Sequence, residues 1–262
     1  MNTTSVFARA LAGLLLAAAG GAASARPLEE IARTRRLVLC AHPDALPWSA
    51  RDGDRPGWVV ELARAMAEAR SWQMDVTWTP DTLAVRRSSC DLYLVSADED
   101  DDPPRGDGVL PLRRSRALVS METVLAQPAS AAPIGRLERD TAKVAVPSGS
   151  WGHLQLLRRG VRLAVRHMDD DAILDAVRAG DVDAGIVSAP GLAWYRLRHP
   201  DAVLQAHAAP VADLGLDFGL ALGLRQSDAA MAREVDTLLR ELDARGVLAT
   251  IGRRYGVTLR SP

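Results

Sequence analysis

Several groups of residues in the 262-residue chain have types and spacing that could do chemistry. Cys40 and Cys90 form an even pair. In an oxidising compartment such a pair reads first as a disulfide, whereas a catalytic or metal role needs histidine or more cysteine alongside. His42 is close to Cys40 in sequence, but two ligands do not make a metal site. His42, His153, His167, His199 and His207 show no spacing of the His-Glu-x-x-His kind. Pro147-Ser148-Gly149-Ser150 leads into a helical stretch, so Ser148 or Ser150 caps it, and the Gly149-Ser150 amides are offered to an anion. Gly149-Ser150-Trp151-Gly152 is one residue short of a nucleophile elbow. Asp98-Glu99-Asp100-Asp101-Asp102 is a run of like charges before Pro103-Pro104. As a cation loop it lacks the mid-loop glycine and the closing glutamate, its twelfth position being Val109, so it reads as a solvated loop. Acids are abundant, but no spacing nominates an acid–base pair.

The elements that must position these residues form two series. Arg36–Ala41 reads as a buried strand. Trp58–Ala69 reads as a helix, with Val59, Leu62, Met66 and Ala69 at spacings of three and four. Strands are expected at 74–78 and 90–95, which together make a parallel α/β series. Parallel pairing of Leu37 beside Asp91 would put Cys40 and Cys90 several rises apart, and a different register would allow the bond. A further strand is expected at 117–125, followed by a small-residue linker at 127–132. A second series then opens with a strand at 143–146 and a helix carrying Leu154 and Leu157. It continues with a strand at 161–165, a helix whose start carries Asp169-Asp170-Asp171 where the dipole favours carboxylates, and a strand at 182–187. A strand at 218–224 and a helix bearing Met231, Val235, Leu238, Leu239 and Leu242 return to the first series, and a last helix ends at Gly256. One series embedded in another needs two crossings, and ligands favour the crevice between such halves. The expected lobes are 26–126 with 217–262, and 127–216.

The ends and the bulk composition bound the function. Arg9, the apolar run Leu11–Ala22 and the small-x-small site Ala23-Ser24-Ala25 have the anatomy of a cleaved secretory signal over residues 1–25. Removing Arg9 with it takes the net charge from −1 to −2. A near-neutral surface gives no electrostatic reason to expect nucleic acid, and no second apolar stretch is long enough for a membrane span. Hydrophobic content of 48% with 25% charged residues is that of a globular domain.

The ordered motifs resemble the family 3 extracellular solute-binding proteins over nearly the whole chain after the leader. They include Leu37-Val38-Leu39-Cys40, Leu46-Pro47-Trp48-Ser49, Gly57-Trp58 with Glu61-Leu62-Ala63, and Cys90-Asp91-Leu92. The second series adds Lys143-Val144-Ala145-Val146, Gly149-Ser150 and Ala176 through Ala184, and Phe218 through Leu222 with Gly246 through Gly256 closes the set. Cys40-Ala41-x-Pro43, Cys90-Asp91, Pro111 with Arg114-Ser115, and Ser188-Ala189-Pro190-Gly191 with Tyr195 are further similar to one subgroup, the MoxJ-type accessory proteins of methanol oxidation. The resemblance implies a two-lobed periplasmic-binding-protein-like α/β fold of type II with a ligand cleft between the lobes. It implies a periplasmic, non-catalytic binding protein without a cofactor, whose partner is a PQQ-dependent dehydrogenase or a small solute handed to an ABC permease. Amino-acid binders of the family hold their ligand's carboxylate with an arginine and its amine with an acid. Here the first position falls in the acidic loop, with Arg105 out of place, and the second is Ser188. The candidate ligand-binding residues are therefore Trp48, Ser96, Asp98, Arg114, Ser148, Gly149, Ser150 and Ser188. A dehydratase-like enzyme on the same scaffold is the third reading.

Overall fold

The computed structural model describes residues 26–97, 113–135, 137, 142–164, 166–209, 216–224 and 229–260. The expected signal segment and Asp98 with its acidic run lie outside them. In chain order the first part runs α1 (Leu28–Thr34), β1 (Arg36–Ala41), the short pair β2 (Asp44–Ala45) and β3 (Ser49–Ala50), and α2 (Trp58–Ala69). It continues with β4 (Gln73–Trp78), α3 (Thr82–Arg87), β5 (Tyr93–Ser96), β6 (Arg113–Arg114) and β7 (Val119–Met121). The second part runs β8 (Thr123–Pro128), β9 (Val144–Ala145), α4 (Trp151–Arg158), β10 (Leu163–Ala164), α5 (Asp170–Ala179), β11 (Ala184–Ser188), α6 (Ala189–Arg198) and β12 (Leu204–Ala208). The chain then returns through β13 (Phe218–Leu224), α7 (Ala229–Ala244) and α8 (Val247–Tyr255).

The first lobe is discontinuous in sequence. β1 and β4 pair in parallel, Leu39 beside Val76. A single parallel bridge from Leu39 to Leu92 joins them to the start of β5, and β13 lies antiparallel between β5 on one side and β6 and β7 on the other. α2 buries Val59, Leu62 and Met66 of the expected stripe in one core with Leu92, Leu222 and Leu239, and Ala69 packs half-buried against it. Its entry depends on Gly57, whose φ of 92° is open to glycine and strained for other residues. A Cβ on Gly57 would stand 2.3 Å from the Trp48 carbonyl oxygen, and its N–H donates to the Tyr255 hydroxyl at 3.1 Å.

The second lobe is one five-stranded sheet in the order β10-β9-β11-β8-β12, parallel through the first three and antiparallel at β8 and β12. α5 and α6 cover one face, with Ile173, Val177, Leu192 and Tyr195 in that core. α4 brings Leu156 to the other face, against Leu125, Val144 and Ile186.

The strand expected over 117–125 is two strands of different sheets. β7 pairs with β13, β8 pairs with β11 and β12, and the chain changes sheets at Glu122, ahead of the linker expected at 127. β8 continues into that linker as far as Pro128, where Gln127, fully buried, sits opposite Gln205 and donates its Nε2–H to the Ala132 carbonyl. The second crossing is tied to the first, since the Thr123 N–H donates to the Asp217 carboxylate at 2.6 Å.

Cys40 and Cys90 are bonded, with their Cα atoms 5.6 Å apart. The register of β1 against Leu92 is within one residue of the pairing that would have separated them. The chain bends at Asp91, ahead of β5, and this bend turns Cys90 back toward Cys40. The bend is held from below. Asp91, 2% exposed, accepts the Val38 N–H at 2.8 Å and two hydrogen bonds from the Arg26 guanidinium at 2.7 and 3.3 Å.

Candidate functional site

The three parallel strands of the second lobe share one register. Ala145 pairs with both Gly185 and Ala164, so three residues further on Ser148, Ser188 and His167 stand in line. The Ser148 N–H donates to the His167 carbonyl at 2.8 Å, which continues that register. Ser148, Gly149, Ser150 and Ser188 are therefore brought to one edge of the sheet.

The start of α4 departs from the expectation that its amides await an anion. Ser150 is the cap, its Oγ accepting from the His153 N–H at 3.1 Å. The Ser150 N–H is donated to the Pro147 carbonyl at 3.1 Å. The Gly149 N–H is donated to Nδ1 of His153 at 2.8 Å. A side chain four residues on has occupied the amide that a bound carboxylate would use. Because Nδ1 accepts, the neutral ring carries its proton on Nε2. His153 Nε2, His167 Nε2 and Ser148 Oγ are each buried without a hydrogen-bond partner among the described residues. They make this edge a cluster of unmet donors and acceptors, which buried polar atoms seldom remain.

Ser188 is committed as well. Its Oγ donates to Asp170 Oδ2 at 2.6 Å and accepts the Gly191 N–H at 3.0 Å as the cap of α6. Its own N–H reaches the same Asp170 oxygen at 3.2 Å. The carboxylate fits only because residue 191 is glycine; a Cβ there would lie 2.1 Å from Oδ2. Burial pushes the Asp170 carboxyl up from its ordinary pKa, and the Ser188 hydrogen bonds pull against that rise. Asp170 is thus a carboxylate delivered to position 188 by the neighbouring helix. Sequence reasoning took Asp169-Asp170-Asp171 as one dipole-complementing group. In the structure Asp169 caps α5 through the Ala172 N–H at 2.8 Å, which leaves Asp170 to turn toward β11.

The first-lobe candidates do not converge in the same way. Ser96 ends β5 opposite Leu220, and Arg114 lies opposite Gly223, three residues along β13. The register thus separates Arg114 from Ser96. Trp48 is half-buried, edge-on to Trp58 at 6.1 Å and packed on the first core, and its carbonyl accepts the Val59 N–H. It serves packing. Asp98 lies outside the described residues. A surface groove between α2 and α8 is lined by Glu61, Arg64, Glu68, Thr250 and Arg254. Its charges include the internal pair Glu61–Arg254 at 2.6 Å. Among the described residues no group of three His, Cys, Asp or Glu side chains could hold a metal ion, and no helix is long and apolar enough to cross a membrane.

No protein-family model matches the chain, and no curated protein matches it. Solved structures do. MxaJ from Methlophaga aminisulfidivorans MPT is 18% identical with a TM-score of 0.66, over 86% of this chain and 100% of that one. XoxJ, a periplasmic binding protein from Methylobacterium extorquens AM1, is 17% identical with a TM-score of 0.62, over 86% and 100%. The L-cystine solute receptor of Neisseria gonorrhoeae, unliganded and open, is 16% identical with a TM-score of 0.65, over 88% and 99%. The chain has the periplasmic-binding-protein fold that these proteins share.

Proposed function

We propose that this chain is a non-catalytic binding protein of the periplasm, exported by a cleaved leader, whose cleft holds a segment of a PQQ-dependent alcohol dehydrogenase. The observation that carries this reading is the closed start of α4. The Gly149 and Ser150 amides are already donated to His153 Nδ1 and to the Pro147 carbonyl, so a free amino acid's carboxylate finds neither available. An unpaired buried carboxylate is costly, and the site is poorly suited to a zwitterion. The likeness in fold to MxaJ and XoxJ supports the same reading, as do the sequence motifs shared with the accessory subgroup.

A second reading, an importer receptor for a small polar solute working with an ABC permease, is favoured by one feature. Asp170 places a carboxylate at Ser188, where the resemblance expects the acid that binds a ligand amine. That restores one half of the clamp and suits a cationic ligand without a carboxylate. The likeness in fold to an L-cystine receptor fits it equally.

Titration calorimetry with purified dehydrogenase, beside thermal unfolding against amino acids, amines and small acids, separates these readings. A ligand at a hundredfold excess over Kd adds about 2.7 kcal/mol of stability, which moves Tm by about 5–10 °C in a chain of this size. Saturable heat with the dehydrogenase and no solute shift is the expected result. A shift with one solute class and no heat with the dehydrogenase makes the chain a receptor instead. Turnover of a small acid, lost on neutralising Asp170, would make it an enzyme.

A further inference from the structure

α6 places side chains in the cores of both lobes. Leu192 and Tyr195 pack in the second lobe with Ile173 and Val177, and the Tyr195 hydroxyl donates to Asp175 at 2.7 Å. Trp194, between them in sequence, points the other way. It is 3% exposed and belongs to the first-lobe core, its ring 5.6 Å from that of Tyr255. The guanidinium of Arg55, from the loop before α2, lies 5.5 Å from the Trp194 ring centroid, and that of Arg198, one turn along α6, lies 5.1 Å from it. Beside Trp194 the helices approach closely, since a methyl group on Gly256 would come within 3.1 Å of the Ala193 Cβ. The root of α6 is fixed at the crossing, where the Ala189 N–H donates to the Glu122 carbonyl at 2.8 Å.

We propose that α6 is a clamp that holds the two lobes at one angle. Two chain crossings alone leave rotation cheap, because a few backbone torsions absorb it. Here a third contact joins the lobes away from the crossings, made of a buried indole, its flanking guanidinium groups and a close helix–helix approach. Packed cores take discrete arrangements and do not deform continuously, so rotation requires Trp194 to leave its seat. The clamp concerns the angle between lobes and not the occupant of the cleft, so it stands or falls independently of either functional reading.

The test is an inter-lobe distance measurement. Both native cysteines are bonded, so spin labels attach only at introduced sites, Glu68→Cys on α2 and Arg158→Cys on α4, both exposed. The otherwise unchanged protein gives one narrow distance distribution, and Trp194→Ala broadens it at least twofold or adds a second population. Ala193→Leu, which wedges α6 from α8 with Trp194 intact, does the same and carries the comparison if Trp194→Ala fails to melt cooperatively. A broad or two-peaked distribution before either substitution overturns the proposal. So does a narrow distribution that neither substitution changes.

Discussion

Asp91 and Asp170 are both carboxylates drawn out of water beside a strand end, and they are held by different partners. Asp91 has a cation, since Arg26 and the Val38 N–H offset the burial that raises its pKa. Arg26→Ala strands a buried charge and is expected to cost about 3–5 kcal/mol in chemical denaturation at pH 7. Asp91→Asn is expected to cost less, because the Arg26 side chain, 18% exposed, can turn to water. Asp170 has only Ser188, and burial raises its pKa as it does that of Asp91, so the linkage has the same sign at both. Its folded value lies above its unfolded one, so ionisation favours the unfolded chain. The penalty is absent below the unfolded pKa and grows as pH rises through it to the folded value. Asp170→Asn, whose carbonyl can still accept from Ser188, is therefore expected to gain stability relative to the native protein between pH 4 and pH 7. Urea melts at the two pH values check this. A serine cap at Ser148 or Ser150 was legible from spacing along the chain, and it is Ser150. The roles of Asp170 and His153 were not, because one contact spans eighteen residues between α5 and β11 and the other uses a histidine in a pattern common to ordinary helices.

At the scale of elements, the helices with a single apolar stripe were plain in the sequence. α2, α5 and α7 bury the residues their periodicity names, Ala69 at the end of α2 staying half-buried. α6 was missed because Leu192, Tyr195 and Trp194 serve two cores, which erases a single stripe, while Pro190-Gly191 reads as a turn. β12, Leu-Gln-Ala-His-Ala, was missed because it has no β-branched residue. The change of sheet at Glu122 was hidden within one apolar run that suits either sheet. Gly57→Ala tests how tightly α2 is seated. Positive φ alone costs about 1–3 kcal/mol, and overlap with the Trp48 carbonyl adds to it. Gly53→Ala is the control, with φ 102° and nothing within 4 Å of its Cβ, and is expected to lower Tm less. Reducing the Cys40–Cys90 bond, which closes a loop of separation 50, is expected to cost about 3–4 kcal/mol on chain-entropy grounds, read as a fall in the denaturant midpoint.

For the whole molecule, the two-lobed plan was legible because the second α/β series interrupts the first. Which candidates meet was not legible, since register decides that Ser148, His167 and Ser188 align while Arg114 falls three residues from Ser96. The discontinuity of the first lobe also sets a timetable. A chain that enters its folding compartment N-terminus first completes the second lobe's strands by Ala208 while the first lobe still lacks β13, α7 and α8. Those late elements supply Leu222, Val235, Leu239 and Tyr255 to its core. Until they arrive, residues 26–97 form a half-built lobe with an open apolar face, the kind of intermediate that aggregates. The early cross-link between residues 40 and 90 is placed to keep that waiting half compact.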